Sequence, residues 1–353
     1  MNLRTLIFEA RRPTASTWAL LAFLRWVMAF NVMLFHLRGS FGRKIPLLGG
    51  KASVIGFFLI SGFSIAHSYQ EKPQGYLRRR FLRIAPMYTA AVLFAYFVVE
   101  WIVPPPAYAE MGVVYTGAGF FTFLANLFCL QDFAAVPLSY DGPLWSLSIE
   151  VFYYLFAPAL FRCPRAVPLV LTVGSMALFG MSPGVYDFGG YMAGIFAWPW
   201  LVGFLLGQKG VNLTLPIGLG LLGAALIVFN RAYTPEALSV FTYATVFGLI
   251  IAGPHVHLPA IVRTIANFLG DLSYPLYLLH LPLAILLYFR FGVRGYPALV
   301  SGIILLVIPM WWIFDEKLKR WVWMPVVKRI LDLARIPSGS SAVPRAPAPV
   351  AER

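Results

Sequence analysis

Apolar residues in this chain come in long runs broken by short basic or Pro/Gly-rich stretches. Eleven such runs can be drawn, at 18–37, 52–69, 84–103, 118–130, 144–161, 166–181, 190–207, 213–229, 237–253, 272–290 and 296–314. Most have the length of a helix that crosses a bilayer. They do not alternate apolar and polar positions over short spans, as the strands of a membrane barrel do. The pattern predicts an all-α polytopic membrane protein. The weakest run is the fourth, which is short, bounded by Gly119 and Gln131, and interrupted by Asn126.

Composition sharpens this. Of 353 residues, 59% are hydrophobic and only 12% charged, against about a quarter charged in soluble domains. The net charge of +14 raises the question of nucleic acid. The basic residues sit at the ends of apolar runs, however, where they set topology and meet anionic headgroups of membrane lipids. The expected partners therefore include membrane lipids and no nucleic acid. Cys129 and Cys163 lack metal-ligand spacing, so neither a metal site nor a structural disulfide is expected. The first run is full length and contains Arg25, so it reads as a retained helix and not a cleaved signal.

Charge also decides the number of crossings. Arg4, Arg11 and Arg12 precede the first run, and Lys72, Arg78, Arg79, Arg80 and Arg83 follow the second. The positive-inside rule makes both cytoplasmic. If the fourth run does not cross, ten helices remain. Arg162, Arg165, Lys209, Arg263 and the basic stretch Lys317–Arg329 then also fall inside, with both termini cytoplasmic. Run 118–130 becomes a re-entrant or interfacial segment. The exceptions are Arg38, Arg43, Lys44 and Lys51 in the first external loop, Arg231, and the pair Arg290 and Arg294. The expected organisation is a cytoplasmic segment 1–17, a membrane domain 18–314, a basic cytoplasmic segment 315–336 and a disordered tail 337–353.

Ionisable groups inside apolar runs are costly and mark candidate sites. Arg25 and His36 are eleven residues apart, which places them on one helix face, about 16 Å apart along the axis. Either could instead be accommodated at the interface, Arg25 by snorkelling. Ser61 lies in the run GFFLISGFSIAHSY, where Gly56, Gly62 and Ser64 also make a small-residue packing face. His67 ends that run and reads as interfacial. Arg80 and Arg83 share a helix face and suit either plain inside charge or an anion site. Glu150 follows Trp145 and Ser146 in an apolar helix, where it needs neutrality, water or a partner, with Arg25 and His36 as candidates. Tyr277 and His280 share a face near the end. Tyr274 and Tyr277 also fit an interfacial aromatic belt.

Taken in order, these residues resemble the acyltransferase-3 family of integral membrane acyltransferases. The resemblance rests on Arg25 with ten residues before His36, FFLISGF, Arg80-x-x-Arg83 with Pro86, PLWSLSIEVFYYL and SYPLYLLHLPL, and covers about 18–314. It implies ten membrane helices and transfer of an acyl group from acyl-CoA, as co-substrate and not a bound cofactor, to a hydroxyl. The acceptors it implies are cell-surface glycans or lipid-linked sugars, with acetyl the leading acyl group, at a bacterial inner membrane. Many members carry an acid just before the paired phenylalanines. Here Ile55 and Gly56 stand there, and Glu150 is the substitute.

On this reading His36 and Glu150 are the catalytic candidates. His36 acts as general base or acyl carrier and Glu150 orients a cation or the imidazole. Arg25, Arg80 and Arg83 bind the donor. Ser61, Trp145, Ser146, Tyr277 and His280 are further site candidates. The basic external loop would line a vestibule for an anionic acceptor. The alternative is a polytopic transporter or flippase of a glycan or lipid-linked substrate, because buried charge and small-residue helices also suit transport.

Overall fold

A computed structural model describes residues 12–41, 50–102, 119–138, 142–182, 190–209, 213–230 and 239–333. Among these residues the fold is helical throughout, and the lone β-bridge joins Gln131 to Ala135. The first helices are α1 (Ala15–Phe41), α2 (Gly50–Glu71) and α3 (Tyr76–Leu93, running on through wider π turns to Ile102). The short α4 (Phe120–Leu127) precedes α5 (Trp145–Arg162) and α6 (Ala166–Met181). Then come α7 (Ala197–Leu206), α8 (Thr214–Phe229), α9 (Ser239–Ala252), α10 (Ala260–Ile285) and α11 (Tyr296–Met310).

Five helical stretches are long and apolar enough to cross a membrane: Ala15–Leu37, Gly50–Glu71, Gly142–Arg162, Ala260–Arg290 and Tyr296–Leu333. Four shorter apolar helices accompany them, at Ala166–Met181, Ala197–Leu206, Thr214–Phe229 and Ser239–His255. The last stretch runs unbroken from Tyr296 to Leu333, so the boundary expected at 314/315 falls inside a helix. Ion pairs Asp315–Lys319 and Glu316–Arg320 brace its polar part, each at 3.4 Å. The expected N-terminal segment up to Arg11, Arg43 and Lys44, Arg231 and the tail 337–353 lie outside the described residues.

Backbone contact explains the small residues of α2. A Cβ on Gly62 would lie 1.9 Å from the Trp200 carbonyl oxygen, and one on Gly203 would lie 2.0 Å from that of Leu59. Only hydrogen side chains let α2 and α7 approach this closely. The two helices run the same way, since Phe58 packs on Phe196 at one end and Gln70 Nε2 donates to the Gly207 carbonyl at the other. Gly56 faces Met28 Sδ, and Asn31 Nδ2 donates to Ser53 Oγ at 2.8 Å. With Trp18 against Phe63, these contacts make α1 and α2 antiparallel.

Helices α1 and α10 are parallel. The Leu258 N–H, just before α10, donates to Ser16 Oγ at 3.0 Å. Gly270 packs on Ala22, and His36 meets His280 at 3.0 Å. Contacts therefore advance along both helices in the same direction.

The weak fourth run forms only the eight residues of α4, about 12 Å of helix against a hydrocarbon core of about 30 Å. Its polar residues fold it back. Asn126 donates to the carbonyls of Thr122 and Val136 and accepts from the Leu138 N–H. Gln131 donates to the Leu144 carbonyl, and the Tyr88 hydroxyl donates to that of Asn126.

Candidate functional site

The described helices enclose a cavity of about 460 Å³ between α1, α2, α3, α5 and α10, within the size range of small-molecule sites. One end is cationic, with Lys72, Arg79, Arg80 and Arg83, and His67 lies beside it; further in come Arg25, Ser61, Glu150 and Tyr154, with Ser146 and Tyr277 also on the wall. The fold thus gathers seven of the ten expected site residues, Arg25, Ser61, Arg80, Arg83, Ser146, Glu150 and Tyr277, around one space. His36, Trp145 and His280 do not line it.

Helix α3 presents the cationic end. It starts after Gly75, whose φ of +66° is a left-handed turn that suits glycine. Arg79 is occupied locally, donating to the carbonyls of Gln74 and Lys72. Its pKa is lowered by partial burial and by neighbouring Arg80 and Arg78. Arg80 donates to Ser68 Oγ and lies over the rings of Tyr76 and Tyr154 at 5.7 and 6.0 Å. Arg83 is exposed and forms no ion pair or hydrogen bond among the described residues. Of the two arginines that share a face, one is braced and the other is open to an anion.

Deeper in, the Arg25 Nε is buried without a hydrogen-bond partner. A buried donor without a partner is uncommon in a folded protein, and this one borders the cavity. Glu150 was expected to pair with Arg25 or His36. It is met instead by the Tyr154 hydroxyl, which donates to Oε1 at 2.5 Å from one turn along the same helix. That turn-to-turn reach needs no crossing of the cavity. Ser61 Oγ donates to the Tyr154 oxygen at 3.4 Å, so Ser61 belongs to the Tyr154–Glu150 chain. Trp145 turns away and packs on Phe196, with ring centroids 5.5 Å apart.

Tyr277 sits at a border. Its hydroxyl is 2.7 Å from that of Ser146 and donates to the Pro143 carbonyl at 3.0 Å, and Phe57 meets its ring edge-on. One turn further, His280 is fully buried and faces His36, with Nε2 of the first 3.0 Å from Nδ1 of the second. Their rings stack at 5.1 Å, and the Tyr277 and His280 rings are 6.3 Å apart. The chemistry therefore falls in two places: a charged cavity, and a histidine pair behind Tyr277.

His67, read from the sequence as interfacial, lines the cavity, packed edge-on against Trp18 and Phe63. Sequence reasoning also passed over Ser64, Ser68 and Glu71 as lining residues. The signal was present: Ser61, Ser64, Ser68 and Glu71 recur at three- and four-residue intervals in an otherwise apolar helix. A polar stripe at that period is one helix face, and in an apolar helix it faces water or a ligand.

Asp132 lies in the loop after α4, 6% exposed and with φ of +74°. Its Oδ2 is buried without a partner, and burial raises its pKa to about 6.

Comparison with known proteins identifies a family. Positions 19–315 match the family model described as an acyltransferase domain. Acyltransferase MdmB of Streptomyces mycarofaciens is 29% identical over 161 residues, covering 41% of this chain and 40% of that protein. The match therefore spans about two-fifths of the length of this curated relative. No solved structure matches the chain.

Proposed function

The chain belongs to the acyltransferase-3 family of membrane acyltransferases, and from that premise we propose that it is an O-acyltransferase of a bacterial inner membrane. It moves an acetyl group from acetyl-CoA to a hydroxyl of a cell-surface glycan or lipid-linked sugar. The observation that carries this is the joint placement of Arg25, Arg80 and Arg83 on one cavity, with the His36–His280 pair just beyond Tyr277.

In this reading Arg80 and Arg83 hold the phosphates of coenzyme A at the cytoplasmic end. Arginine forks suit phosphate oxygens. The thioester lies deeper, where Arg25 stabilises negative charge developing on its carbonyl oxygen. His36 takes the proton of the acceptor hydroxyl, the hydroxyl oxygen attacks the thioester carbon, the C–S bond breaks, and His36 returns the proton to the departing sulfur, so that coenzyme A leaves as the free thiol. Glu150 with Tyr154 tunes the charge of the cavity wall.

The reading includes ten crossings with cytoplasmic termini. The parallel pairing of α1 with α10 and of α2 with α7 supports it, because parallel helices need an odd number of crossings between them. Runs 52–69, 84–103, 144–161, 166–181, 190–207, 213–229 and 237–253 supply seven between α1 and α10, and a crossing at 118–130 would make the number even.

The test is purified protein in nanodiscs with radiolabelled acetyl-CoA and candidate acceptors. Acceptor-dependent release of free thiol, abolished in His36→Ala, is the expected result. Movement of a lipid-linked sugar without thiol release would favour a transporter. Mass spectrometry of surface glycans and glycolipids with and without the gene then names acyl group and acceptor together.

A further inference from the structure

We infer that His280 is a positioning residue that fixes the protonation pattern of His36, so that the Nε2 of His36 carries the free lone pair. The inference rests on the reading of His36 as the base, and it is decided by hydrogen-bond accounting.

His280 Nδ1 lies 3.1 Å from the Leu276 carbonyl oxygen and 2.9 Å from that of Tyr277. Carbonyl oxygens only accept. A bare lone pair on Nδ1 would face two acceptors in a fully buried position, so Nδ1 carries the proton. Turning the ring over would put a carbon against both carbonyls and give up the contact to His36. In the neutral ring, a proton on Nδ1 leaves Nε2 as an acceptor. That Nε2 lies 3.0 Å from His36 Nδ1, so His36 Nδ1 must donate. The Nε2 of His36 is then unprotonated, which is the state a general base requires.

The division of labour follows from burial. His280 is fully buried and held by two carbonyls of its own helix, whereas His36, which also hydrogen-bonds the Val32 backbone of α1, remains partly exposed. The chain thus uses a second imidazole, anchored on backbone carbonyls of α10, where an acid was expected to orient the base. Parallel packing of α1 and α10, set by Gly270 against Ala22, brings the two rings level.

The test is nitrogen NMR of histidine-labelled protein in nanodiscs, with His36 assigned by difference from His36→Gln. The expected spectrum shows His36 protonated at Nδ1 and bare at Nε2. His280→Gln keeps an acceptor near the ε position and preserves that pattern. His280→Asn keeps only a donor for the α10 carbonyls, and the His36 proton moves to Nε2. In activity, His280→Asn lowers kcat about 10- to 100-fold, the range for loss of an orienting partner, with donor KM unchanged, and His280→Gln recovers most of it. A proton on His36 Nε2 in the unaltered protein, a doubly protonated pair, or an unchanged pattern in His280→Asn would each overturn the inference. Failure of the base assignment reads differently: the expected spectrum with full transfer in His36→Ala sinks that assignment and leaves the positioning role standing.

Discussion

The hydroxyls of Tyr277 and Ser146 lie 2.7 Å apart, joining α10 to α5 where the charged cavity ends and the histidine pair begins. Pro143 supplies a carbonyl that both hydroxyls reach, at 3.0 and 3.2 Å. Tyr277→Phe leaves Ser146 with that carbonyl and removes two contacts of the tyrosine. The expected loss is about 1 to 2 kcal/mol of stability, read as a lower melting temperature in detergent. Tyr277→Ala opens the border, and hydrolysis of the acyl donor without acceptor is expected to rise. Unchanged hydrolysis would show that Tyr277 does not separate the two places.

Arg80 and Arg83 share a helix face but differ in surroundings. Arg83→Gln removes an exposed guanidinium with no hydrogen bond or ion pair among the described residues, so the donor KM should rise about tenfold, equivalent to about 1.4 kcal/mol, at nearly constant melting temperature. Arg80→Gln also loses Ser68 and two aromatic faces, so both KM and melting temperature should move. Donor titrations paired with thermal scans separate the two cases. Equal effects on both quantities in both variants would contradict the distinction.

The α2–α7 contact should be intolerant of any side chain. Gly62→Ala places a methyl group against the backbone of Trp200 and is expected to cost at least about 1 to 3 kcal/mol. Gly248 has nothing within 4 Å of its Cβ position, so Gly248→Ala should be neutral or slightly stabilising. Melting temperatures of the two variants, measured side by side, check the contrast.

Burial raises the Asp132 pKa from 3.8 to about 6, so the ionised form opposes folding. The penalty is full above pH 6, shrinks as pH falls from 6 to 4, and is absent below that. Asp132→Asn should therefore stabilise the protein at pH 8, by about 1 to 2 kcal/mol for an unpaired buried polar atom, and have little effect near pH 4. Thermal stability of both proteins across that range checks the sign, and a larger gain at low pH would refute it.

Much of the site was legible because membrane helices make polar residues conspicuous. Arg25 and Glu150 stand out against apolar neighbours, since each costs free energy unless the fold uses it, while Arg80 and Arg83 stand out by their i, i+3 spacing in a basic cluster. Pairing was not legible. Glu150 turned to Tyr154 of its own helix and not to a cation, because a local partner one turn away needs no long-range geometry. That His67 lines the cavity was not legible either, because a histidine near a helix end looks the same whether its ring meets headgroups or a cavity.

The sequence by itself determined the helical class, the membrane-length runs, the family and the residues whose burial is expensive. These follow from transfer free energy, which is local to each run and additive along it. Only the tertiary structure decided that α1 lies parallel to α10, that His36 rests on His280 244 positions away, and that Tyr277 stands between this pair and the arginines. Helix faces are periodic, so a sequence states which residues share a face; backbone approach at Gly62, Gly203 and Gly270 decides which faces meet.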